Sequence, residues 1–492
     1  MLNQERLTLI IAFTLFTALV QFACAGEVEM SGKRKESGKV NSGNGGNVPG
    51  SDAGKLSIYT RPSGLSKVKN LFAHDGKRYR VEVNGRPVPV YASNGNHPSK
   101  IKTAHVALFS FRNMTANVKV HCGFKVKKAA VRPYSRGIRP TVTNNTISFS
   151  MKTPKKIWLQ ANGDRAYPLF IFADEPVEDP GKGKVEHYFG PGVHHIGLKY
   201  GVKDNERVYI AGGAVVEGSF DVEKTKNITI SGRGIIAGGK WSKLKGPERN
   251  RVFESKKAVN LHVEGVTCIG HDSHTFNWDN SGRRVKNVKV IAYNWTTDGP
   301  GSIRGPAKVT DCFCVVSDDV LRVEQNARNV LFEDVAIWVY NNNAMIFGQY
   351  CSTGNETRNI TFRNIDVMVS DVPPGSAVIE CDLQNAGAVH DIVFENIRVE
   401  EQLNGELINL TIDQDLRPFH NEWDREGQGR LYNITIRNLS APRCNGRIMG
   451  YDANHRVENI VFENLRIKGK KITNLKQTGL KTNAHIRNIT FK

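Results

Sequence analysis

The sequence has 492 residues, of which 39% are hydrophobic and 8% aromatic, so the chain is not wholly disordered. Its length exceeds what a single hydrophobic core usually holds, which predicts about two to three domains. The formal net charge of +20 fits either an anionic partner or a basic, solvated surface. The positive charges are dispersed and do not alternate with aromatic residues in one stripe, so we expect no nucleic-acid partner.

Residues 1–25 have the pattern of an export signal. Arg6 precedes the apolar run Leu7–Val20, and Ala23-Cys24-Ala25 has the small-x-small pattern of a cleavage site. The run is too short for a comfortable membrane span, and no later stretch reaches about 18 apolar residues. We therefore expect a secreted protein, extracellular or periplasmic, without a membrane span. Lipoprotein anchoring through Cys24 is the less favoured alternative.

Two segments of different character follow. Residues 26–55 are rich in Gly, Ser, Lys and Asn, which predicts a flexible linker. Residues 56–184 contain short alternating runs such as RYRVEV, HVALFSF and PLFIFA, separated by turn residues. Runs of this length and spacing are typical of a β-sandwich domain.

A repeated motif occupies residues 185–492. An Asn, once an Asp, precedes a short alternating apolar strand at positions 227, 260, 287, 329, 359, 391, 433, 459 and 488. The repeat shows no helical period, and the longest steps contain further strands. This pattern predicts an all-β protein whose second domain is a right-handed parallel β-helix of the pectin-lyase-like type.

The recurrent Asn has a structural explanation. At a bend it can adopt the left-handed conformation and form a hydrogen bond to its neighbour on the next coil. The Asn-x-Thr/Ser sequences at Asn227, Asn359, Asn433 and Asn488 are therefore interpreted as repeat chemistry and not as glycosylation sites. The seven cysteines after the signal are odd in number and scattered, so we expect buried thiols, with one disulfide left open.

Three carboxylates stand out in two neighbouring coils. Asp298 precedes Asp318 and Asp319 by 20 and 21 residues, which is one coil length. We expect them on adjacent rungs of one sheet, about 5 Å apart at the backbone, with Asp319 pointing outward beside Asp298 and Asp318 reaching the same cleft from a bend. Acids this close have pKa values that are forced apart. A protonated carboxyl beside a carboxylate suits hydrolysis of a glycosidic bond with inversion, which requires no metal or organic cofactor.

These residues also resemble a known family. The stretch TTDGPGSIRGPAKVTDCFCVVSDDVLRVE, followed by NNNAMIFG, is similar to the catalytic region of glycoside hydrolase family 49, the dextranase and isopullulanase group. The resemblance implies a β-sandwich before the β-helix and an endo-acting hydrolase of an α-glucan. It also implies that Asp318 is the general acid and that Asp298 and Asp319 hold the attacking water as bases.

Family 28, the polygalacturonases, shares the fold and the arrangement of acids that this resemblance implies. Members of that family also carry Gly-His-Gly and Arg-x-Lys after the acid pair. This chain has Asn-Asn-Asn-Ala and Gly-Gln-Tyr at the corresponding positions, so it lacks the basic clamp for a sugar carboxylate. Pectin is therefore the less favoured substrate.

Other side chains on nearby coils are candidates for binding a polysaccharide substrate. Each can donate to sugar hydroxyls, stack on a ring or carry a positive charge, and each can equally be an ordinary turn residue. The candidates are His274, Trp278, Arg304, Arg322, Asn343 and Tyr350. No metal ligand set is expected, and a monomer is presumed.

Several functions remain open at this point. The charge of +20 keeps a hydrolase of an acidic or sulfated polysaccharide as an alternative to the α-glucan hydrolase. A polysaccharide lyase on the same scaffold would need Ca²⁺ and a basic residue, and would release an unsaturated product. A non-catalytic glycan-binding protein would release no product at all.

Overall fold

The computed structural model describes residues 54–95, 100–238, 251–277, 281–293, 296–348, 351–412 and 428–492. The predicted signal peptide, Cys24 and nearly all of the predicted linker lie outside these ranges. The described chain is all-β, and its described helical elements are the short 3₁₀ turns Leu65–Lys67, Tyr134–Arg136 and Leu475–Gln477. Within the described residues, no helix has the length and hydrophobicity needed to cross a membrane.

The first twelve described strands form a sandwich of two mainly antiparallel sheets. They are Lys55–Ile58 (β1), Phe72–Ala73 (β2), Tyr79–Val83 (β3), Arg86–Val88 (β4), Val90–Asn94 (β5), Thr103–Arg112 (β6), Ala116–Cys122 (β7), Ala129–Arg132 (β8), Thr141–Thr143 (β9), Thr146–Met151 (β10), Lys156–Ala161 (β11) and Leu169–Asp174 (β12). The seven-stranded sheet has the order β2-β5-β6-β12-β11-β8, with β1 beside β6. The five-stranded sheet has the order β4-β3-β7-β10-β9.

The remaining strands pair in parallel along a right-handed β-helix, apart from one short antiparallel pair, β38 with β39. They are His187–Phe189 (β13), Gly192–Gly201 (β14), Arg207–Ile210 (β15), Ala214–Asp221 (β16), Thr229–Gly232 (β17), Ile235–Ala237 (β18), Phe253–Glu254 (β19), His262–Glu264 (β20), Thr267–Ile269 (β21), Arg283–Lys286 (β22), Lys289–Ile291 (β23), Ala307–Thr310 (β24), Phe313–Val316 (β25), Leu321–Val323 (β26), Arg328–Glu333 (β27), Ala336–Val339 (β28), Met345–Phe347 (β29), Glu356–Asp371 (β30), Ala377–Leu383 (β31), Ala388–Val399 (β32), Gln402–Asn404 (β33), Glu406–Ile412 (β34), Arg430–Ala441 (β35), Gly446–Met449 (β36), Val457–Glu463 (β37), Arg466–Ile467 (β38), Lys470–Lys471 (β39), Leu480–Thr482 (β40) and Ile486–Phe491 (β41). The predicted boundary after residue 184 lies between β12 and β13.

The helix has three faces, which together enclose its core. The first face stacks β20, β22, β24, β27 and then the first part of β30. The second face stacks β21, β23, β25, β28 and the later part of β30. The third face is a separate six-stranded sheet with the order β26-β29-β31-β34-β36-β40. Each coil therefore runs through the first, second and third faces in turn.

The bend before each first-face strand has the predicted asparagine geometry. All nine motif positions, 227, 260, 287, 329, 359, 391, 433, 459 and 488, have φ between 55° and 58°, a region that Asn and Asp tolerate better than other residues with a side chain. Over part of this series the side chains form a ladder: Asn260 donates to Asn227 at 3.0 Å, and Asn488 donates to Asn459 at 3.0 Å. The ladder prediction is confirmed for these positions, since their amides bond to each other.

A second ladder, not anticipated from the sequence, runs along the bend between the first and second faces. Asn396 donates its side-chain amide to Asn364 at 3.0 Å, and Asn438 donates to Asn396 at 2.9 Å. Inside the coils, Phe332, Phe362 and Phe394 stack with centroid spacings of 4.9 and 4.8 Å. These spacings match the distance between neighbouring strands, so each ring repeats the environment of the one before it.

The seven-stranded sheet of the sandwich packs on the second face of the β-helix. Trp158 of the sandwich lies 4.5 Å from Trp338 of the helix between ring centroids, and Phe172 lies 5.1 Å from Phe313. All four side chains are buried. The seven cysteines of the described chain are free thiols, and six of them are buried, so the cysteines belong to the packing and not to a disulfide framework.

Candidate active site

Three aspartates lie on two adjacent coils, where the chain passes from the second face to the third. Asp318 and Asp319 occupy the turn between β25 and β26, and Asp298 lies in the equivalent connection one coil earlier. Asp318 lies at a bend, as expected, whereas Asp298 and Asp319 lie in connections between strands and not on the strands of one sheet. We call Asp298, Asp318 and Asp319 the aspartate cluster.

Backbone hydrogen bonds hold the two turns in register. The Asp318 amide donates to the Thr297 carbonyl at 3.2 Å, and the Gly299 amide donates to the Asp319 carbonyl at 3.0 Å. Gly299 permits this close approach, since a Cβ at that position would lie 2.6 Å from the Val320 carbonyl oxygen. The adjacent Thr296 has φ 67°, an uncommon conformation for a β-branched residue that marks local strain beside Asp298.

One guanidinium joins the aspartate cluster. Arg322 Nη1 lies 3.6 Å from Asp298 Oδ2 and 3.5 Å from Asp319 Oδ2. Its Nε lies 2.7 Å from Glu324 Oε1, an acid two residues further along the chain. Arg322 is 8% exposed and Glu324 2% exposed, so this network is shielded from solvent. One guanidinium therefore contacts three buried acidic side chains.

Two asparagines of the following coil fix the aspartate pair. Asn342 donates its side-chain amide to Asp318 Oδ1 at 2.6 Å. Asn343 donates to Asp319 Oδ1 from its side chain at 2.8 Å and from its backbone at 3.2 Å. The Asn343 side-chain oxygen in turn accepts from the Ala377 amide at 3.0 Å, which sets its orientation. Each aspartate of the pair thus has its own amide partner.

His274 reaches the cluster from the other side. Its Nδ1 lies 2.8 Å from Asp298 Oδ2. Burial, together with the nearby Arg322 charge, lowers the pKa of His274 to about 4, so the ring is neutral at neutral pH. A contact this short needs one proton between the two atoms, carried by the imidazole Nδ1 or by the carboxyl group. His274 therefore orients Asp298 without adding a positive charge.

The cluster combines different degrees of exposure with raised pKa values. Asp298 is 1% exposed and Asp319 2% exposed, whereas Asp318 is only partly buried. Burial, reinforced by the charges of Asp298 and Asp319, raises the pKa of Asp318 to about 7. Burial likewise raises the pKa of Asp298 well above its usual range, although Arg322 opposes the shift. The partly exposed Asp318 can therefore carry a proton at mildly acidic to neutral pH.

The structure thus brings together Asp298, Asp318, Asp319, His274, Arg322 and Asn343 from the residues that the sequence singled out. Arg304 follows Ile303, at the start of the third face, and is partly buried. Trp278 and Tyr350 lie outside the described residues. The roles assigned to all nine remain predictions.

Two residues of the site were missed at the level of sequence. Asn342 follows Asp318 by 24 residues, the same separation as Asn343 from Asp319, so coil spacing alone could have found it. Glu324 lies two residues after Arg322, and strand alternation places both side chains on the same side. Both signals were available from the repeat that identified the aspartates.

Comparisons with known proteins bear on the fold. No protein-family model matches the sequence, and no curated protein matches it. Among solved structures, Dex49A from Penicillium minioluteum is similar over 89% of this chain and 96% of its own, with 15% identity and a TM-score of 0.62. A hyperthermoactive exopolygalacturonase from Thermotoga maritima aligns over 62% of this chain and 83% of its own, with 14% identity and a TM-score of 0.42. The likeness to Dex49A shows that this chain shares its fold, a β-sandwich followed by a parallel β-helix.

Proposed function

We propose that this protein is a secreted polysaccharide hydrolase that cleaves glycosidic bonds with inversion through Asp298, Asp318 and Asp319. The observation that carries the proposal is the pairing of a partly exposed carboxyl, whose pKa is raised to about 7, with two buried acidic side chains that share Arg322. Inverting hydrolysis needs one group that gives a proton and one that takes a proton from water. The cluster offers both within two adjacent coils.

Asp318 is proposed as the general acid. It is the most exposed member of the cluster, so it can reach the oxygen of a glycosidic bond. Its raised pKa keeps it protonated where an ordinary aspartate would be ionised. Transfer of that proton to the departing sugar oxygen would leave Asp318 as a carboxylate, which the Asn342 amide is placed to stabilise.

Asp298 and Asp319 are proposed to hold the attacking water. Both are within ion-pair distance of the same Arg322 nitrogen, and both have a second partner that limits their rotation, His274 and Asn343 respectively. A water between them would lose its proton to one carboxylate as it attacks the anomeric carbon. Two fixed acceptors would orient this water better than one.

The charge pairing within the site supports a neutral sugar as the substrate. Arg322 contacts three carboxylates, so its charge is committed to the protein and is not offered to a uronate or a sulfate. An α-glucan cleaved internally is what the family 49 resemblance implies, and a substrate without charge agrees with this arrangement. The alternative, a hydrolase of an acidic polysaccharide, draws its support from the net charge of +20.

The test is hydrolysis of a panel of polysaccharides, with dextran and pullulan beside polygalacturonate. We expect reducing ends from an α-glucan, a fall in viscosity that precedes extensive release of sugar, and a first product of inverted anomeric configuration by NMR. A retained configuration would contradict the mechanism, and an ultraviolet-absorbing unsaturated product would indicate a lyase. Hydrolysis of polygalacturonate alone would support the acidic-substrate alternative.

The acid assignment is tested by Asp318→Asn. Removing a general acid lowers turnover by about 10²–10⁴-fold, and we expect a loss in this range with binding and fold preserved. Asp334→Asn is the matched control, because Asp334 is exposed and its replacement makes the same change of charge outside the site. Equal activity in the two variants would overturn the role of Asp318.

A further inference from the structure

A concave surface lies on the sandwich and shares no residue with the aspartate cluster. It is a groove of about 820 Å³ on the five-stranded sheet, bordered by the segments 136–139 and 152–155. The residues that line it come from β7, β9 and β10 and from these two segments. We call this surface the sandwich groove.

The floor of the sandwich groove is a row of short polar side chains. In the pairing of the sheet, Ser148 lies opposite Thr141 on one side and Lys119 on the other, and Ser150 lies opposite Asn117. Strand alternation points these residues away from the sandwich core, where Val118, Phe149 and Met151 are buried between them. Short hydroxyl and amide groups leave room above the sheet and supply hydrogen-bond partners.

The border of the groove is positively charged. Five cations line it and no carboxylate does: Lys119, Arg136, Arg139, Lys152 and Lys155. Within the described chain, none of these five forms an ion pair. The acid opposite Lys119 in the sheet, Glu82, is in contact with Arg80 and His121 instead. Arg136 Nε is also a buried donor without a hydrogen-bond partner among the described residues.

We propose that the sandwich groove binds an anionic polysaccharide through its sulfate or carboxylate groups and so anchors the enzyme to an acidic glycan matrix. Uncompensated cations above hydroxyl groups are complementary to a chain that carries repeated negative charges. The aromatic ring in the lining, Phe149, is 6% exposed, so the groove provides no stacking platform for neutral sugars. The inference does not depend on the proposed hydrolysis. It assigns a binding function to part of the positive charge that gives the chain its net charge of +20.

The experiment compares two otherwise identical chains, dextran and dextran sulfate, with polygalacturonate as the carboxylate arm. Affinity is measured by calorimetry at low and at physiological salt, on the full-length protein carrying Asp318→Asn to prevent hydrolysis. We expect binding of dextran sulfate, polygalacturonate or both that weakens as salt rises, whereas binding of neutral dextran, which can only occupy the aspartate cluster, should not depend on salt. The stronger of the two anionic probes identifies the group that the groove recognises.

A charge-reversed triple variant, Lys119→Glu, Arg139→Glu and Lys152→Glu, tests the location. All three residues are exposed, so the fold is expected to survive. The matched control is Lys470→Glu, Lys471→Glu and Lys476→Glu, which makes the same change of net charge on exposed residues near the C-terminus. We expect the groove variant to lose about tenfold or more in affinity and the control to lose less than about twofold.

Three outcomes would overturn the proposal. The first is the absence of binding to both anionic probes. The second is an equal loss in the groove variant and the control, which would indicate diffuse attraction by net charge. The third is equal affinity for duplex DNA with the same sensitivity to the groove variant, which would show that the groove reads negative charge and not a polysaccharide.

Discussion

Two aspartates of this protein are both buried, and yet their pKa values are shifted in opposite directions. Asp174, at the junction of the sandwich and the β-helix, is 5% exposed, and Asp298 is 1% exposed. Burial acts to raise the pKa of both. At Asp174, however, Lys289, Lys156 and Arg233 together outweigh burial and hold the pKa below its usual range, whereas the pKa of Asp298 stays well above it.

The difference lies in the number of cations for each carboxylate. Lys289 Nζ lies 2.8 Å from Asp174 and Arg233 Nε lies 3.9 Å from it, so one carboxylate has at least two positive partners. In the aspartate cluster Arg322 is shared among Asp298, Asp319 and Glu324. A buried acid with several cationic partners is ionised and stabilises the fold. Buried acids that share one cation instead retain a proton that a catalytic step can use.

The most direct way to break this comparison is Asp298→Asn. We expect activity to fall by about 10²–10⁴-fold, because a group that holds the attacking water is lost. We also expect stability to rise at neutral pH. A folded-state pKa above the unfolded value means that the native state loses stability as pH rises through this range, and Asn cannot ionise.

The stability change is measured by thermal unfolding at two pH values. The gain over wild type should be about 2–4 °C at pH 7.5, as expected for about 1 kcal/mol in a large domain, and close to zero at pH 4. A variant that is both inactive and less stable at pH 7.5 would contradict the interpretation that the buried carboxyl of Asp298 destabilises the native state at this pH.

Asp174→Asn tests the other half of the comparison. Removing one partner of a buried ion pair leaves Lys289 uncompensated, so we expect a loss of about 3–5 kcal/mol in the free energy of unfolding. Turnover per folded molecule should remain within about twofold of wild type. Denaturant titration gives the first quantity and active-site-normalised kinetics the second. The double variant Asp174→Asn, Lys289→Met should recover part of the stability, and no recovery would contradict the pairing.

The pH profile sharpens the comparison within the cluster itself. The pKa of Asp318 is raised to about 7, so activity that needs its proton should fall as pH rises past this value. The Asn342 hydrogen bond lowers that pKa, so Asn342→Ala should move the alkaline limb to higher pH, by a few tenths of a unit or more. Asn341→Ala is the neighbouring control, and an equal shift in both variants would exclude the hydrogen bond as the cause.

The smallest expected effect concerns the second asparagine ladder, whose side-chain amides are hydrogen-bonded to each other without any charged partner. Asn396→Ala removes one rung of the second asparagine ladder and places Ala at φ 58°, where a side chain costs about 1–2 kcal/mol. Asn396→Gly relieves the backbone and loses only the side-chain hydrogen bonds, so it should be the less destabilised of the two. Thermal unfolding should show a lower midpoint temperature for both variants, with unchanged activity. An Asn396→Ala variant that is more stable than Asn396→Gly would contradict the conformational explanation.

The sequence predicted the solenoid because its signals are local. Each coil repeats its bend asparagine and its inward Val, Ile and Phe, so spacing alone predicted the stacked coils and the ladder. The same spacing brought Asp298 to the level of Asp318 and Asp319 and singled out His274 and Asn343.

Spacing along the chain could not predict the conformation of the connections between strands, or the contacts between residues that are far apart in the sequence. Asp298 was expected on a sheet, whereas it lies in a connection between strands, beside Gly299 and the strained Thr296. The partnership of Asp174 with Lys289 joins residues 115 positions apart across two domains, and no periodicity links them. The sandwich groove likewise depends on how segments 136–139 and 152–155 border a sheet, which the residues alone do not indicate.

The stacked phenylalanines imply that the solenoid can change its length. Phe332, Phe362 and Phe394 occupy equivalent places in successive coils, and each stacks on the ring of the adjacent coil. A duplicate of the coil that contains Phe362 could therefore be inserted after it, as one more identical coil, without disturbing the coils that hold the aspartate cluster. Such modularity would let protein engineers, or gene duplication, lengthen this scaffold while its chemistry stays in place.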